Sequence, residues 1–354
     1  MSPAALGRLV FAASAAFVSA LPAGAAGARA QPRMVAIAAS PDTITLGGVD
    51  YVDLGAFCER FGLRLRGRTS AAGPVVYGSK WSKLEFEVDS RDQTINGLRV
   101  FFGDPVRRYR GRVWLSRIDA ELLLTPMLRP GADQPRVPAL RKIVLDPGHG
   151  GNDSGKTNDR LKIAEKDLTL DTSRRLKKLL EAQGYEVLLT RADDRYVDLP
   201  ARPAFARRAR ADLFISLHYN SVAARASGVT GVEVFTLTPQ HQYSTADSAH
   251  DDDQGARIAL PGNAHDHWNT VLGASIGREL LDDLKVPDRG LKRARWKVLT
   301  LGPCPAVLVE SGYLSNDAEA RKIATPAYRQ RIAQAIAEGV RAYGATLAQL
   351  RAKS

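Results

Sequence analysis

Residues 142–155 read KIVLDPGHGGNDSG, an apolar run that leads directly into a histidine between two glycines. The run KIVLD has the length and composition of a buried strand. Glycine allows the backbone to turn sharply without side-chain crowding, so Gly148 and Gly150 can bring His149 inward from the end of that strand. Taken alone, His149 is equally compatible with an ordinary loop residue, so its role depends on the rest of the chain.

Downstream of this stretch, strand and helix patterns alternate. Such alternation predicts a sheet covered by helices on both faces, with ligands gathering beyond the carboxyl ends of the strands. The predicted strands are KIVLD, YEVLLT, DLFISLH, GVEVFTL and AVLVE, with a ribbon around LKRARWKVLT. Helices are predicted over 165–183, over PARPAFARRAR, from about 268 to 284 and over 327–349.

Upstream, residues 34–128 carry short β-forming runs between glycine and aspartate turns, which predicts a small β-rich module. The runs are TITLGGVDYVDL, KLEFEVD, QTINGLRVFF and RVWLSRIDAELLL, with one helix around LGAFCERFG. Residues 129–139 contain three prolines and no apolar periodicity, which indicates a linker. The predicted catalytic domain then spans 140–354.

The first thirty residues indicate a cleaved signal peptide. Arg8 precedes an apolar run, and small residues offer cleavage sites at Ala28 or Ala30. A membrane anchor is the alternative, but the strongly apolar part is only about a dozen residues, short of the roughly 20 that span a bilayer. No later segment is apolar enough to span. We therefore expect an exported mature protein without a transmembrane segment, in the periplasm or associated with the cell wall.

The net charge indicates which kinds of partner to expect, and the two cysteines indicate whether a disulfide forms. The formal net charge is +12, and cleavage after Ala30 would remove two arginines and no acid, leaving +10. Such a surplus favours an anionic partner, and export favours an acidic cell-envelope polymer or a membrane surface. Nucleic acid is not expected, because the basic residues are dispersed and no aromatic RNA-binding signature is present. Cys58 and Cys304 are expected to be buried, unpaired thiols, with a disulfide between them as the alternative.

Four polar residues fall where the predicted fold would gather ligands. His149 follows KIVLD, His218 ends DLFISLH, Glu310 ends AVLVE and Glu165 opens the first helix. Each has an ordinary explanation alone, as a loop, core or capping residue. Together, two imidazoles and one carboxylate make the three-ligand set of catalytic zinc, with a fourth position for water. A second carboxylate can take a proton from that water and pass it to a departing amine, and Glu310 suits this task.

Six ordered blocks resemble the zinc-dependent N-acetylmuramoyl-L-alanine amidases of bacterial cell walls. They are VLDPGHGG, AEKDLTLD, LLTRADDRYVDLPAR, DLFISLHYNS, GVEVF and PAVLVESGYLSN, and the likeness covers about residues 141–349. The resemblance implies an α/β fold, with a three-layer twisted mixed sheet between helices. It also implies hydrolysis of the amide joining N-acetylmuramic acid to L-alanine in peptidoglycan. By position, His149, Glu165 and His218 match the zinc ligands, Glu310 the catalytic glutamate and Asn220 a supporting position.

The chain departs from that family's pattern in two places. Where the family usually has DPGA, residues 153–156 read DSGK, and the approach to Glu165 is not glycine-rich. Some members also carry, in the place of residues 239–267, an inserted helix that blocks the site until an activator protein moves it. Here glycine, proline and aspartate clusters favour a loop. An accessory metal site is the alternative, from its residues His241, His250, His265, His267 and Asp251 to Asp253.

The amino-terminal region is similar, more weakly, to the copper amine oxidase N-terminal-like domain. GVDYVDLGAFCERFGLRLR and TINGLRVFFGDPVRRYRGRVWLSR carry the likeness, but the region has no histidine for a copper site. The module is expected either to position an enzyme on the wall or to be structural. The predicted function is that of an exported peptidoglycan amidase. The alternatives are a zinc peptidase that cuts within the stem peptide and a catalytically inactive wall-binding protein.

Overall fold

A computed structural model describes residues 42–68, 73–132, 136–222, 228–245 and 257–353. These residues belong to one compact unit, which runs from Pro41 to Ser354. The predicted signal peptide at 1–30 lies outside the described residues. Within them, no helix is both long and apolar enough to cross a lipid bilayer.

The regular elements alternate as the sequence predicts from residue 140 onward. The strands β1 to β17 of the described residues are, in chain order, Thr43–Leu46, Val49–Asp53, Arg64–Arg68, Val75–Gly78, Lys83–Phe86, Asp92–Ile95, Leu98–Phe101, Arg107–Tyr109, Arg112–Ser116, Lys142–Pro147, Thr157–Asn158, Ile163–Ala164, Glu186–Leu189, Leu213–Asn220, Val232–Leu237, Asp288–Ala294 and Ala306–Tyr313. The helices α1 to α9 are Leu54–Arg60, Arg117–Asp119, Thr125–Leu128, Glu165–Ala182, Ala201–Ala209, Asp266–Leu284, Lys297–Thr300, Asp317–Ala324 and Pro326–Arg351. A π-helical turn covers Ala120–Leu124 and a 3-10 turn covers Pro261–His265.

An 11-stranded sheet is the framework of the molecule, in the order β13-β10-β14-β17-β15-β16-β7-β6-β5-β4-β3. Strands β13, β10, β14 and β17 are parallel, whereas β15 runs antiparallel to β17. The carboxyl ends of β10, β14 and β17 therefore share one edge, where ligands of such sheets gather.

Helices cover both faces of the sheet. On β10, Ile143 and Leu145 face the large core that α4, α6 and α9 complete, whereas Val144 faces a smaller core with α5 and α7. This alternation is what a strand buried on both sides requires. The predicted α/β class with a three-layer mixed sheet is thus confirmed, and a β-rich region precedes it.

The β-rich region continues the sheet that β10 and β13 to β17 form. Strand β7 pairs in parallel with β16 through Val100 and Leu291. Strands β6 to β3 then extend the sheet, while β1, β2, β9 and β8 form a separate four-stranded sheet. The division into a module, a linker at 129–139 and a catalytic domain stays a prediction.

One part of the β-rich region differs from the prediction. RVWLSRIDAELLL was expected to be β-forming, but β9 ends at Ser116 and residues 117–128 are helical. The Ser116 hydroxyl accepts a hydrogen bond from the backbone N–H of Asp119 and so caps the first turn. Ala120, Leu123 and Leu124 are buried at a helical spacing, which outweighs the apolar run's preference for strand. Both cysteines are buried and unpaired, as predicted.

Candidate metal centre

The turn after β10 delivers His149 to the carboxyl edge of the sheet. His149 has a φ of 62°, a left-handed conformation that side chains rarely adopt. Two buried arginines hold this turn by donating to its carbonyls. Arg202 donates to the carbonyls of Pro147 and His149 at 2.8 and 2.9 Å, and Arg191 donates to that of Gly148 at 2.8 Å. The strained turn is thereby fixed before any ligand binds.

Three predicted ligands converge at this edge. Nε2 of His149 lies 3.1 Å from one carboxylate oxygen of Glu165, and Nδ1 of His218 lies 3.0 Å from the other. The donor atoms of the three side chains all lie within 4.8 Å of one another. In the described part of the chain, this is the only such group that could hold a metal ion.

The second nitrogen of His149 is also occupied. Its Nδ1 lies 2.9 Å from Oδ2 of Asp153, an arrangement that fixes the imidazole so that Nε2 faces the centre. Burial opposes the charged imidazole, but hydrogen bonds and attraction from Glu165 and Asp153 outweigh it and raise the pKa of His149. Burial likewise disfavours the Glu165 carboxylate, yet the two histidines hold its pKa below the ordinary value.

Two glycines leave space for the three predicted ligands. A Cβ on Gly148 would lie 2.3 Å from Cε1 of His218, and a Cβ on Gly155 would lie 2.5 Å from Cδ2 of His149. Neither position can therefore carry a side chain without moving a ligand. The departure DSGK retains the glycine at 155, so the altered sequence keeps this space.

Glu310 lies beside the ligands, on β17. Its Cα pairs with that of His218 on one side and with that of Glu233 on the other. Its Oε2 is buried and has no hydrogen-bond partner among the described residues. Burial, then repulsion from Glu165 and Glu233, raise the pKa of Glu310 well above its ordinary value, while Lys292 opposes the shift. The side chain is therefore suited to holding a proton near the metal ligands.

The structure also places Asn220, which the sequence predicted in a supporting role. Its side-chain amide donates to Glu233, which is buried. Tyr313 donates its hydroxyl to the same Glu233 carboxylate at 2.8 Å, and Lys292 pairs with it as well. Asn220 thus contacts the neighbour of Glu310 and makes no hydrogen bond to the three ligands in the described structure.

Sequence reasoning missed Glu233, Asp153 and the buried Arg202. A signal for Glu233 was available, because a charged residue inside the otherwise apolar GVEVF must find partners if the strand is buried. Arg202 pairs with the fully buried Asp146 at 2.9 Å, and this pair depends on contacts between segments that are distant in sequence.

The segment 239–267 begins at the opposite edge of the sheet. Because β15 runs antiparallel to β17, the chain leaves β15 on the side away from Glu310. In the described parts, His267 contacts the Pro130 carbonyl at 2.6 Å, and His241 and His265 belong to no metal-binding group. His250 and Asp251 to Asp253 lie outside the described residues, so a metal site that includes them stays a prediction.

The donor set fits a zinc ion. Two imidazoles and one carboxylate are a common set for catalytic zinc, and the unpartnered buried oxygen of Glu310 lies next to them. The arrangement can therefore hold a divalent metal and place a proton-accepting group beside it.

This chain is similar to proteins that are named as amidases. The family model described as N-acetylmuramoyl-L-alanine amidase matches residues 143–342. The amidase AmiC of Escherichia coli O6:H1 is 34% identical over 241 residues, which cover 62% of this chain and 56% of that protein. The probable cell wall amidase LytH of Staphylococcus aureus is 33% identical over 204 residues, covering 57% of this chain and 58% of LytH. The match to these two relatives thus spans a little over half of their length.

One solved structure is also similar. The catalytic domain of CwlV, an N-acetylmuramoyl-L-alanine amidase from Bacillus (Paenibacillus) polymyxa var. colistinus, is 27% identical with a TM-score of 0.47. The likeness covers 58% of this chain and 98% of that domain.

Proposed function

We propose that this chain, which belongs to the N-acetylmuramoyl-L-alanine amidase family, is a zinc hydrolase of peptidoglycan. The bond cut is the amide between N-acetylmuramic acid and L-alanine, and the products are free stem peptides and glycan. The observation that carries the proposal is the convergence of His149, Glu165 and His218 with Glu310 beside them.

One zinc ion, held by His149, Glu165 and His218, would polarise the scissile carbonyl and make an attacking water more acidic. The unpartnered Oε2 of Glu310 accepts a proton from that water. The water oxygen bonds to the carbonyl carbon, the carbon–nitrogen bond breaks, and Glu310 returns the proton to the alanine nitrogen that departs. Glu310 thus carries one proton of the water to the departing amine, acting first as base and then as acid, while the other proton stays with the new carboxyl group of the muramic acid.

Supporting contacts keep these groups in place. Asp153 fixes the ring of His149, while the N–H groups of Lys156 and Tyr219 donate to Glu165 at 2.8 and 3.0 Å. Rigid ligands of this kind lower the cost of organising the site for each turnover.

We also propose that the protein acts outside the cytoplasm, in the periplasm or at the cell wall. The predicted signal peptide at 1–30 and the basic net charge of +12 support this location. An activator protein stays a proposal from family likeness alone. The described start of segment 239–267 leaves β15 on the side of the sheet away from Glu310.

Glu310→Gln tests the assignment. The amide keeps the shape of the carboxylate but cannot accept the proton, so zinc content by elemental analysis should stay at one per chain. Release of stem peptides from purified sacculi should fall by roughly a hundredfold or more. Mass spectrometry of the products distinguishes an amidase, which frees intact stem peptides, from a peptidase that cuts within them.

Glu338→Gln is the matched control, since Glu338 lies on the surface of α9, where it pairs with Arg341. This variant should retain full activity. His149→Ala should lose zinc. An active Glu310→Gln variant, or unchanged zinc in His149→Ala, would overturn the assigned roles.

A further inference from the structure

Glu310 lies on one face of the sheet, and strand pairing extends this face into the β-rich region. Glu310 pairs with Glu233 on β15, and Phe235, two residues on, pairs with Lys292 on β16. Leu291 pairs with Val100 on β7, so Lys292 and Phe101 emerge on the same face as Glu233.

Side-chain contacts make this row continuous. Lys292 pairs with Glu233, and its Nζ lies 5.4 Å from the ring centroid of Phe101. The guanidinium of Arg99 lies 4.8 Å from the same centroid. We name the row Glu233, Lys292, Phe101, Arg99 and Asp92 the strip. From Glu233 on β15 to Asp92 on β6 it crosses three strand spacings, or about 14 Å.

Much of the strip lies at the surface, whereas Glu233 is buried beneath Lys292. Leu98 and Val100 are buried on the other side of β7, so Arg99 and Phe101 point away from the main core. The side chains of Arg99 and Asp92 are 38% and 37% exposed, and that of Lys292 is 21% exposed. Arg99, Asp92 and Lys292 can therefore be reached by a ligand from solvent.

Each cation of the strip has its own carboxylate. Lys292 pairs with Glu233, and Arg99 pairs with Asp92 through two of its nitrogens. Such a surface carries little net charge and is poorly suited to an ion. It offers hydrogen-bond donors and acceptors on either side of an aromatic ring. That combination suits a polyhydroxylated ring with apolar C–H faces, that is, a sugar.

The ring of Phe101 packs directly against Gly290 on β16. Gly290 on β16 has a φ of 98°, and a Cβ there would lie 2.8 and 2.9 Å from two atoms of the Phe101 ring. The side chain of Asp288 accepts a hydrogen bond from the backbone N–H of Arg99 at 2.7 Å. The ring is thus held against β16 before a ligand arrives, which lowers the entropic cost of binding.

We propose that the strip binds the glycan strand of peptidoglycan, next to the muramic acid whose amide is cut. The inference rests on the proposed function, because only a muramyl amide at the metal centre places sugar rings beside Glu310. It gives the β-rich region a role in substrate binding, through Phe101 and Arg99.

Binding to the full chain with Glu310→Gln tests the proposal without turnover. The probe is peptide-free glycan strands of alternating N-acetylglucosamine and N-acetylmuramic acid, titrated by calorimetry. Adding Phe101→Ala should weaken binding about tenfold, the usual scale for removing an aromatic anchor. Phe101→Leu, which keeps apolar bulk without the ring, should also weaken binding and guards against misfolding of the alanine variant.

Trp81→Ala is the matched control. Trp81 belongs to the same β-rich region, is 82% exposed and also lies beneath a cation, Lys80, at 4.7 Å, but it is in the turn between β4 and β5. Its removal should leave the affinity unchanged. Equal affinity for the Phe101 variants and their parent, or an equal loss in Trp81→Ala, would overturn the proposal. Failure of the unmodified chain to release stem peptides would instead count against the amidase function.

Discussion

The buried ion pair between Asp119 and Arg293 connects the β-rich region to the catalytic sheet. Nη1 of Arg293 lies 2.6 Å from Oδ1 of Asp119, and the two side chains are 2% and 0% exposed. Asp119 also accepts the backbone N–H groups of Gly103 and Asp104 at 2.9 and 3.2 Å. Asp119→Ala would therefore leave one guanidinium and two backbone N–H groups buried without the carboxylate that now pairs with them.

Asp119→Ala is expected to lower the free energy of unfolding by a large amount. Removing one partner of a buried pair typically costs about 3–5 kcal/mol, because the other charge stays buried without compensation. Here Arg293 would keep only the Gln242 side chain, whose Oε1 it contacts at 2.5 Å. The free energy of unfolding of a protein is typically about 5–15 kcal/mol in total, so a loss of this size is a large fraction of it. Asp119→Ala should therefore unfold at a much lower urea concentration than the unmodified chain.

Urea unfolding followed by tryptophan fluorescence measures this loss. Trp81 and Trp114 report on the β-rich region, and Trp268 and Trp296 report on the catalytic part. Because the pair joins the two, all probes should change in a single transition. The double variant Asp119→Leu with Arg293→Met removes both charges and should lose less than Asp119→Ala alone.

Asp282→Ala is the matched control, since Asp282 lies on α6 and pairs with Lys285 on the surface, where the two side chains are 78% and 76% exposed. Exposed pairs contribute little, so this variant should match the unmodified chain. A loss below about 1 kcal/mol in Asp119→Ala, or two separate transitions in the unmodified chain, would refute the reasoning.

Two further predictions concern the metal centre and pH. Gly148→Ala should weaken zinc binding by roughly 10–100-fold in a chelator competition, because the added Cβ would displace the His218 ring. The control is Gly228→Ala, whose Cβ would have no atom within 4 Å and which should bind zinc as the unmodified chain does. Equal zinc affinities for the two variants would contradict the packing argument. Burial raises the pKa of Asp266 to about 7. Its folded-state pKa thus exceeds the unfolded one, so its stabilising contribution is complete at low pH and is lost as the pH rises toward 7. Relative to Asp266→Asn, the unmodified chain should lose up to about 1.4 kcal/mol per pH unit between pH 4 and 7 in urea unfolding, and parallel profiles would contradict this sign.

Much of the catalytic part could be predicted because its signals are local. Strand and helix periods in 140–354 identified the long elements but not the short β11, β12, α7 and α8, and strand ends placed His149, His218 and Glu310 as neighbours. Those signals depend on a few consecutive residues, and the convergence follows from the rule that parallel strands share a carboxyl edge.

The remaining features depend on pairings that no local pattern encodes. A single register pair, Val100 with Leu291, joins β7 to β16 across about half of the chain. The helical turn after Ser116 was missed because apolar runs such as AELLL suit both a strand and a buried helix. Glu233 acquires its meaning only when β15 is known to run antiparallel beside Glu310.

The continuity of the sheet has a consequence for shortened chains. A fragment that begins at Leu140 would lack β7 and would expose the backbone N–H and C=O groups of β16 along an unpaired edge. The same cut would uncover the apolar side chain of Leu291, which is 2% exposed in the intact protein. Such a fragment would present a template for intermolecular strand addition, so we expect it to self-associate at concentrations where the intact chain does not.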